Sequence, residues 1–234
     1  MFLLLCGKAG AQDDGRVVRL TTLEWPPYTT TEMAHGGEST ALVRSALAAM
    51  GYKLEVEFFP WKRAVALTRN RSRFDGYFPE YLSDATAQRC LLSDPIGHGL
   101  IGFAQLLDRP VRWKTLDDLT PHRIGVVQDY VNSAELDMAI AQHRQGVDLA
   151  RDDLQNLRKL AAGRVALAVI DRRVFDYLMR HDRQLQAYKG KLEFNSKPLE
   201  LKQLFICFRH NARGEQLRSL VNAGLKRIHD STAR

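Results

Sequence analysis

The chain has 234 residues, 45% of them hydrophobic and 26% charged, enough to bury a substantial core as one large domain or two lobes. Its net charge of +7 is spread among interspersed acids, with basic clusters only at 69–73 and Arg172-Arg173. With no stripe of alternating basic and aromatic residues, nothing marks a nucleic-acid binder, and beyond the N-terminus no apolar run reaches membrane-spanning length.

Met1 to Ala11 reads as the remainder of a secretory signal: Phe2 to Cys6 is a short apolar run and Ala9-Gly-Ala11 a small-residue cleavage site. Export and a periplasmic location are expected, with a frayed apolar N-terminus as the alternative. Val17 to Leu23 is predicted as the first strand, and Trp25-Pro-Pro-Tyr28 as a rigid turn presenting Trp25 and Tyr28 at its end. Ser39 is predicted to cap a helix with Leu42, Val43, Ala46, Leu47 and Met50 on one stripe, ended by Gly51. Lys53 to Phe59 alternates as a strand, Trp61 to Arg69 is helical, and Phe74 to Phe78 is a short strand that Pro79 should stop. Glu80 and Tyr81 then fall at a strand's C-terminal edge, where open α/β sheets bind ligands.

Ile101 to Leu107 is the next strand, broken by Asp108-Arg-Pro110, and Gly97-His98-Gly99 before it reads as a turn. Thr115 opens a short helix, Arg123 to Val127 is a strand, and Ser133 to Gln145 is a helix with Leu136, Ala139 and Ile140 inward. Asp152 caps a helix carrying Leu154, Leu157 and Leu160, Val165 to Ile170 is a strand, and Asp171 caps the helix of Val174, Phe175 and Leu178. Leu204 to Phe208 reads as a returning strand and Arg213 to Ile228 as the final helix. Cys90 and Cys207 sit in apolar surroundings that favour buried free thiols over a bridge, although an oxidising compartment permits one.

Asp75-Gly76, Thr86-Ala-Gln-Arg89 and Leu92-Ser93-Asp94-Pro95 resemble the motif series of the periplasmic solute-binding proteins of family 3, the polar amino-acid-binding components of ABC importers. Trp25 to Tyr28, Leu116 to Leu119, Ile124 to Val127, Leu160 to Arg164 and Val169 to Asp171 fall in that family's order. The resemblance implies an α/β, two-lobed, type II periplasmic-binding-protein-like fold, each lobe an open, mostly parallel sheet flanked by helices, with two crossing strands as hinge. Lobe one is expected over 12–106 and 203–234 and lobe two over 107–202, after a signal remainder at 1–11.

The implied role is capture of a small polar or charged, amino-acid-like ligand in the interlobe cleft, by a monomer serving an ABC permease, without cofactor, metal or nucleic acid. Arg89 is the expected clamp on a ligand carboxylate, since a guanidinium offers a fork of donors, and pairing with a neighbour such as Asp84 is the alternative. Asp171 would receive a ligand ammonium, or only cap its helix. Trp25 or Tyr28 would pack on the ligand or close the core; Trp61 and Arg63 begin a helix whose arginine would face the same cleft or stand solvated on the helix surface. Asp129 and Tyr130 occupy the turn before a helix N-terminus, where the family usually places glycine and a hydroxyl residue. Glu80 would bind a cationic group or pair with a cleft arginine. Two rival roles remain: delivery of the ligand state to a sensor receptor, and an enzyme using Glu80 as acid or base. The chain carries no nucleophile elbow, zinc-spaced Cys/His set or phosphate loop.

Overall fold

A computed structural model describes residues 16–69 and 73–232. The signal-like Met1 to Ala11 and the middle of the 69–73 basic cluster lie outside them. A single mixed sheet runs through the molecule in the order β2-β1-β3-β10-β5-β8-β6-β7. Its first half is built as the alternating pattern requires: β1 (Val17–Thr22) lies parallel to both β2 (Lys53–Phe58) and β3 (Gly76–Tyr81). Parallel neighbours need crossovers, supplied by α1 (Glu38–Ala49) and the short α2 (Trp61–Ala66). Val43, Ala46 and Leu47 are the buried stripe of α1, and the C-terminal α7 (Ala212–Thr232) packs on it so closely that a Cβ at Gly224 would strike the carbonyl of Ala46.

Three expected boundaries move here. Ser39 lies inside α1 rather than capping it, because the chain enters the helix through Gly37 at φ 92°, a conformation that glycine adopts at little cost. Strand β3 starts at Gly76 and runs through Pro79 to Tyr81. Pro79 does not stop it because the antiparallel ladder to β10 (Glu200–Phe208) slips its register there, between Phe205 and Cys207. The residue skipped by that slip, Ile206, donates its N–H to Ser93 Oγ and accepts from the Ser93 N–H, both at 2.9 Å. A proline thus sits in a central strand without orphaning a partner.

Strand β5 (Gly97–Leu106) begins four residues before the expected Ile101, so Gly97-His98-Gly99 is strand and not turn. Its first part pairs antiparallel with β10, Gly97 opposite Leu204 through Ile101 opposite Glu200. From Ile101 to Gln105 it pairs instead with β8 (Leu167–Asp171). These two antiparallel strands are the crossing between the halves. Beyond them β6 (Ile124–Val127) lies parallel to β8 and to β7 (Val147–Ala150), an edge strand with no expected counterpart. Two further short strands, β4 (Leu91–Leu92) and β9 (Leu192–Phe194), pair with β10 and β5.

Helices α4 (Ala134–Ala141), α5 (Asp153–Ala161) and α6 (Arg172–His181) complete the second half, capped by Ser133, Asp152 and Asp171, whose side chains accept first-turn N–H groups. Helix α4 stops short of the expected Gln145 because His143 turns to φ 56°. Cys90 and Cys207 form a disulfide with Cα atoms 5.4 Å apart, which corrects the free-thiol expectation. Both are buried, and the returning β10 brings them together across 117 residues of sequence. Among the described residues no helix is long and apolar enough to cross a membrane.

Candidate ligand-binding site

The crossing strands set the ends of β1, β3 and β8 against one another, and the residues following those ends meet at the junction of the two halves. Asp171, last residue of β8, is its centre. Its carboxylate caps α6 through the N–H groups of Arg173 and Val174, at 2.8 and 3.2 Å. From the other half it accepts the hydroxyls of Tyr28, 3.2 Å from both oxygens, and of Tyr81 at 3.1 Å. Gly99 makes this convergence possible: a Cβ there would overlap the Asp171 carboxylate and the Tyr81 hydroxyl. Burial raises the Asp171 pKa, opposed by these donors, and burial followed by the charge of Asp171 pushes both tyrosines well above the usual range. Both hydroxyls therefore stay protonated donors.

Arg89 and Glu80 form a second cluster. Arg89, at the end of α3 (Asp84–Arg89), does not pair with Asp84; its Nη2 donates to Glu80 Oε2 at 2.9 Å and its Nε to the Tyr77 hydroxyl at 3.0 Å. The same hydroxyl donates to Glu80 at 3.1 Å, and the Tyr81 N–H supplies another bond at 3.0 Å. The Glu80 side chain is 4% exposed and that of Arg89 is 38% exposed. Burial pushes the Glu80 pKa up to about 7 against the pull of Arg89 and its other donors. The carboxylate expected to reach Arg89 from a ligand is here contributed by the protein itself.

Aromatic rings fill the rest. Trp25 stacks on Tyr28 at 4.5 Å and meets Tyr81 edge-on at 5.8 Å, while Trp61 meets Tyr77 at 5.4 Å and Tyr130 at 6.3 Å. Trp61 Nε1 donates to the Asp129 carbonyl at 3.2 Å and Lys62 Nζ lies 3.9 Å from the Asp129 carboxylate, so the turn after β6 is latched to α2. Arg173 on α6 reaches Glu38 on α1 at 2.5 Å. What remains between Trp25, Trp61, Glu80, Tyr81 and Tyr130 is a cavity of about 20 Å³, room for a water and not for an amino acid. The two halves are shut on their own side chains. Arg63 stands apart from this gathering: it is exposed, with its guanidinium 5.2 Å from the Phe59 ring.

Sequence reasoning missed Asp153. It sits at the start of α5, 6% exposed, and its neutral donors are the Tyr130 hydroxyl, at a long 3.4 Å, and the indole N–H of Trp25. Burial, then the charges of Asp171 and Asp152, push its pKa up to about 7. The signal for it was the Asp152-Asp153 pair opening a helix, since only one of two adjacent carboxylates can serve as cap. Among the described residues no group of three or more His, Cys, Asp or Glu could hold a metal ion.

No family model and no curated protein sequence matches the chain. Solved structures do. A histidine kinase sensor domain with similarity to periplasmic binding proteins superposes with a TM-score of 0.79 at 18% identity, covering 93% of this chain and 92% of that one. The GluR0 ligand-binding core from Nostoc punctiforme, in complex with L-glutamate, gives 0.74 at 15% identity, with 92% and 94% covered. An ancestral arginine-binding protein bound to arginine gives 0.75 at 16%, with 92% and 93% covered. Over nearly its whole described length the chain has the two-lobed α/β fold of the type II periplasmic binding proteins.

Proposed function

We infer that this chain is an extracytoplasmic ligand-binding domain that captures a small polar or charged molecule at the junction of its halves. Its closed form would be read by a partner, either an ABC-type importer or a sensor receptor. The observation that carries the reading is the convergence of Tyr28 and Tyr81 from one half on the buried Asp171 of the other. Burying a carboxylate is costly and a packed apolar junction would avoid the cost. A fold that instead concentrates charge and hydroxyls where two halves meet can couple ligand occupancy to their relative position. Fold likeness to both binding proteins and a kinase sensor domain supports either partner.

Catalysis by Glu80 is the weaker reading, because Arg89, Tyr77 and the Tyr81 N–H already occupy its oxygens. A thermal-shift panel of amino acids, amines, dicarboxylates and short peptides tests the proposal. A ligand of the folded state raises its apparent stability with concentration, and the compound that does so should be recovered chemically unchanged. Turnover of that compound, abolished by Glu80→Gln, would overturn the binding role in favour of the enzyme.

A further inference from the structure

Two grooves run end to end along α5, between that helix and the segment 182–188 that follows α6. The one beyond the junction, about 570 Å³, is lined by Arg151, Arg158, Lys159 and Arg164 and, among the described residues, by no carboxylate. Gln155, Arg158, Lys159 and Ala162 share its wall because their spacing sets them on one face of the helix. The one beside the junction, about 660 Å³, is lined by the carboxylates of Glu24, Glu32, Asp152, Asp153 and Asp182 against Arg183 and His181. Gln184 lines both grooves, and the pair of Arg151 and Asp152, at 2.9 Å, stands where they meet. The charge of the surface therefore changes sign along a single trough. Neither end is balanced within the chain. Lys159 is taken up by Asp148 at 2.5 Å, but Arg158 and Arg164 are exposed and, among the described residues, form no ion pair. At the other end Glu32 is exposed and likewise has no cationic partner among them.

We propose that this trough is an interface with a second copy of the same chain, related by a two-fold axis that crosses it at Gln184. Such a rotation exchanges the two ends, so Arg158 and Arg164 of each copy meet the acidic end of the other and the contact closes on itself as a dimer. Like charges grouped at each end repel one another and are relieved by a surface of opposite sign. A different partner, acidic or basic, would match one end and oppose the other. A second copy matches both with one operation. The acidic end is lined from both halves of the molecule, Glu24 and Glu32 from the first and Asp152 and Asp182 from the second. Arginines entering it therefore tie those halves together in their shut arrangement. The dimer replaces the monomer that the family resemblance implies, goes beyond the ligand-binding reading and does not depend on it.

The test is sedimentation velocity of the whole protein at about 100 µM, in salt of about 0.02 M and about 0.5 M, where exposed charges are weakly and strongly screened. The wild type should sediment as a dimer in low salt, with association about tenfold or more weaker in high salt. Arg158→Glu and Glu32→Lys, both at exposed positions, should each raise the low-salt dissociation constant about tenfold, since a two-fold dimer meets every change twice. An equimolar mixture of the two variants should associate more tightly than either does alone. In the mixed dimer one contact keeps both native ends and the other sets reversed charge against reversed charge. A wild type that stays monomeric in low salt overturns the proposal, as does a dimer that the reversals leave unchanged or a mixture that gains nothing. If the monomeric wild type instead binds phosphatidylglycerol vesicles and Arg158→Glu does not, the basic end faces an anionic membrane and the dimer falls. Circular dichroism separates lost association from a lost fold, and Arg158→Gln, a milder change with the same sign of effect, stands in for a reversal that does not fold.

Discussion

Glu80 and Asp153 are two buried carboxylates, one in each half of the molecule, each pushed by burial to a pKa of about 7, yet their surroundings are opposite. Glu80 has an arginine at 2.9 Å, a tyrosine hydroxyl at 3.1 Å and a backbone N–H at 3.0 Å. Asp153 has only neutral donors, the Tyr130 hydroxyl at 3.4 Å and the Trp25 indole N–H, and two further carboxylates nearby. The same perturbed acidity therefore marks two different states, a carboxylate paired with a cation and one held by neutral donors alone. A pKa alone does not identify a binding site; the roster of donors around it does.

Perturbing each side should separate them. The largest effect is expected from removing the bridge beside Arg89: Cys90→Ser with Cys207→Ser opens a closed loop of 117 residues and should cost about 2–5 kcal/mol, read by denaturant unfolding. Next, Arg89→Ala leaves Glu80 buried without its cation. Because the arginine side chain is 38% exposed, we expect about 2–3 kcal/mol rather than the full loss of a buried pair, a fall in Tm of about 5–10 °C.

The pH dependence follows from the raised values. Both folded-state pKa values, about 7, lie above the ordinary values of 4.5 for Glu80 and 3.8 for Asp153. Between those limits the folded protein holds more protons than the unfolded chain, so stability falls as pH rises toward 7 and levels off above it. Tm should be higher at pH 5 than at pH 8. Asp153→Asn should flatten this slope and raise stability at pH 8 by about 1 kcal/mol, whereas Glu80→Gln, which strands Arg89, should not. The smallest effect belongs to Arg173→Ala, whose pair with Glu38 is 48% exposed on each side and should contribute under about 0.5 kcal/mol by double-mutant cycle.

Much of the fold was legible because it rests on local signals. Periodicity placed α1, α5, α6 and α7, and acidic caps at Asp152 and Asp171 marked two helix starts. What was hidden depends on distant partners. Pro79 reads as a strand stop until Ser93 is seen taking up Ile206, 113 residues away, and Cys90 reads as a lone thiol until β10 returns. The site shows the same division. Residue types at strand ends drew attention to Tyr28, Glu80 and Asp171, and the family resemblance to Arg89, but that Glu80 fills Arg89, or that Arg63 turns to Phe59, is set by side-chain packing with no periodic trace.

The contrast between the two carboxylates is tested most directly by carboxyl carbon NMR of Glu80 and Asp153, titrated in the wild-type protein and in Arg89→Ala. In the wild-type protein both should titrate near pH 7. In Arg89→Ala the Glu80 titration should move up and Asp153 should stay in place; movement of Asp153 instead, or of neither, would contradict the account.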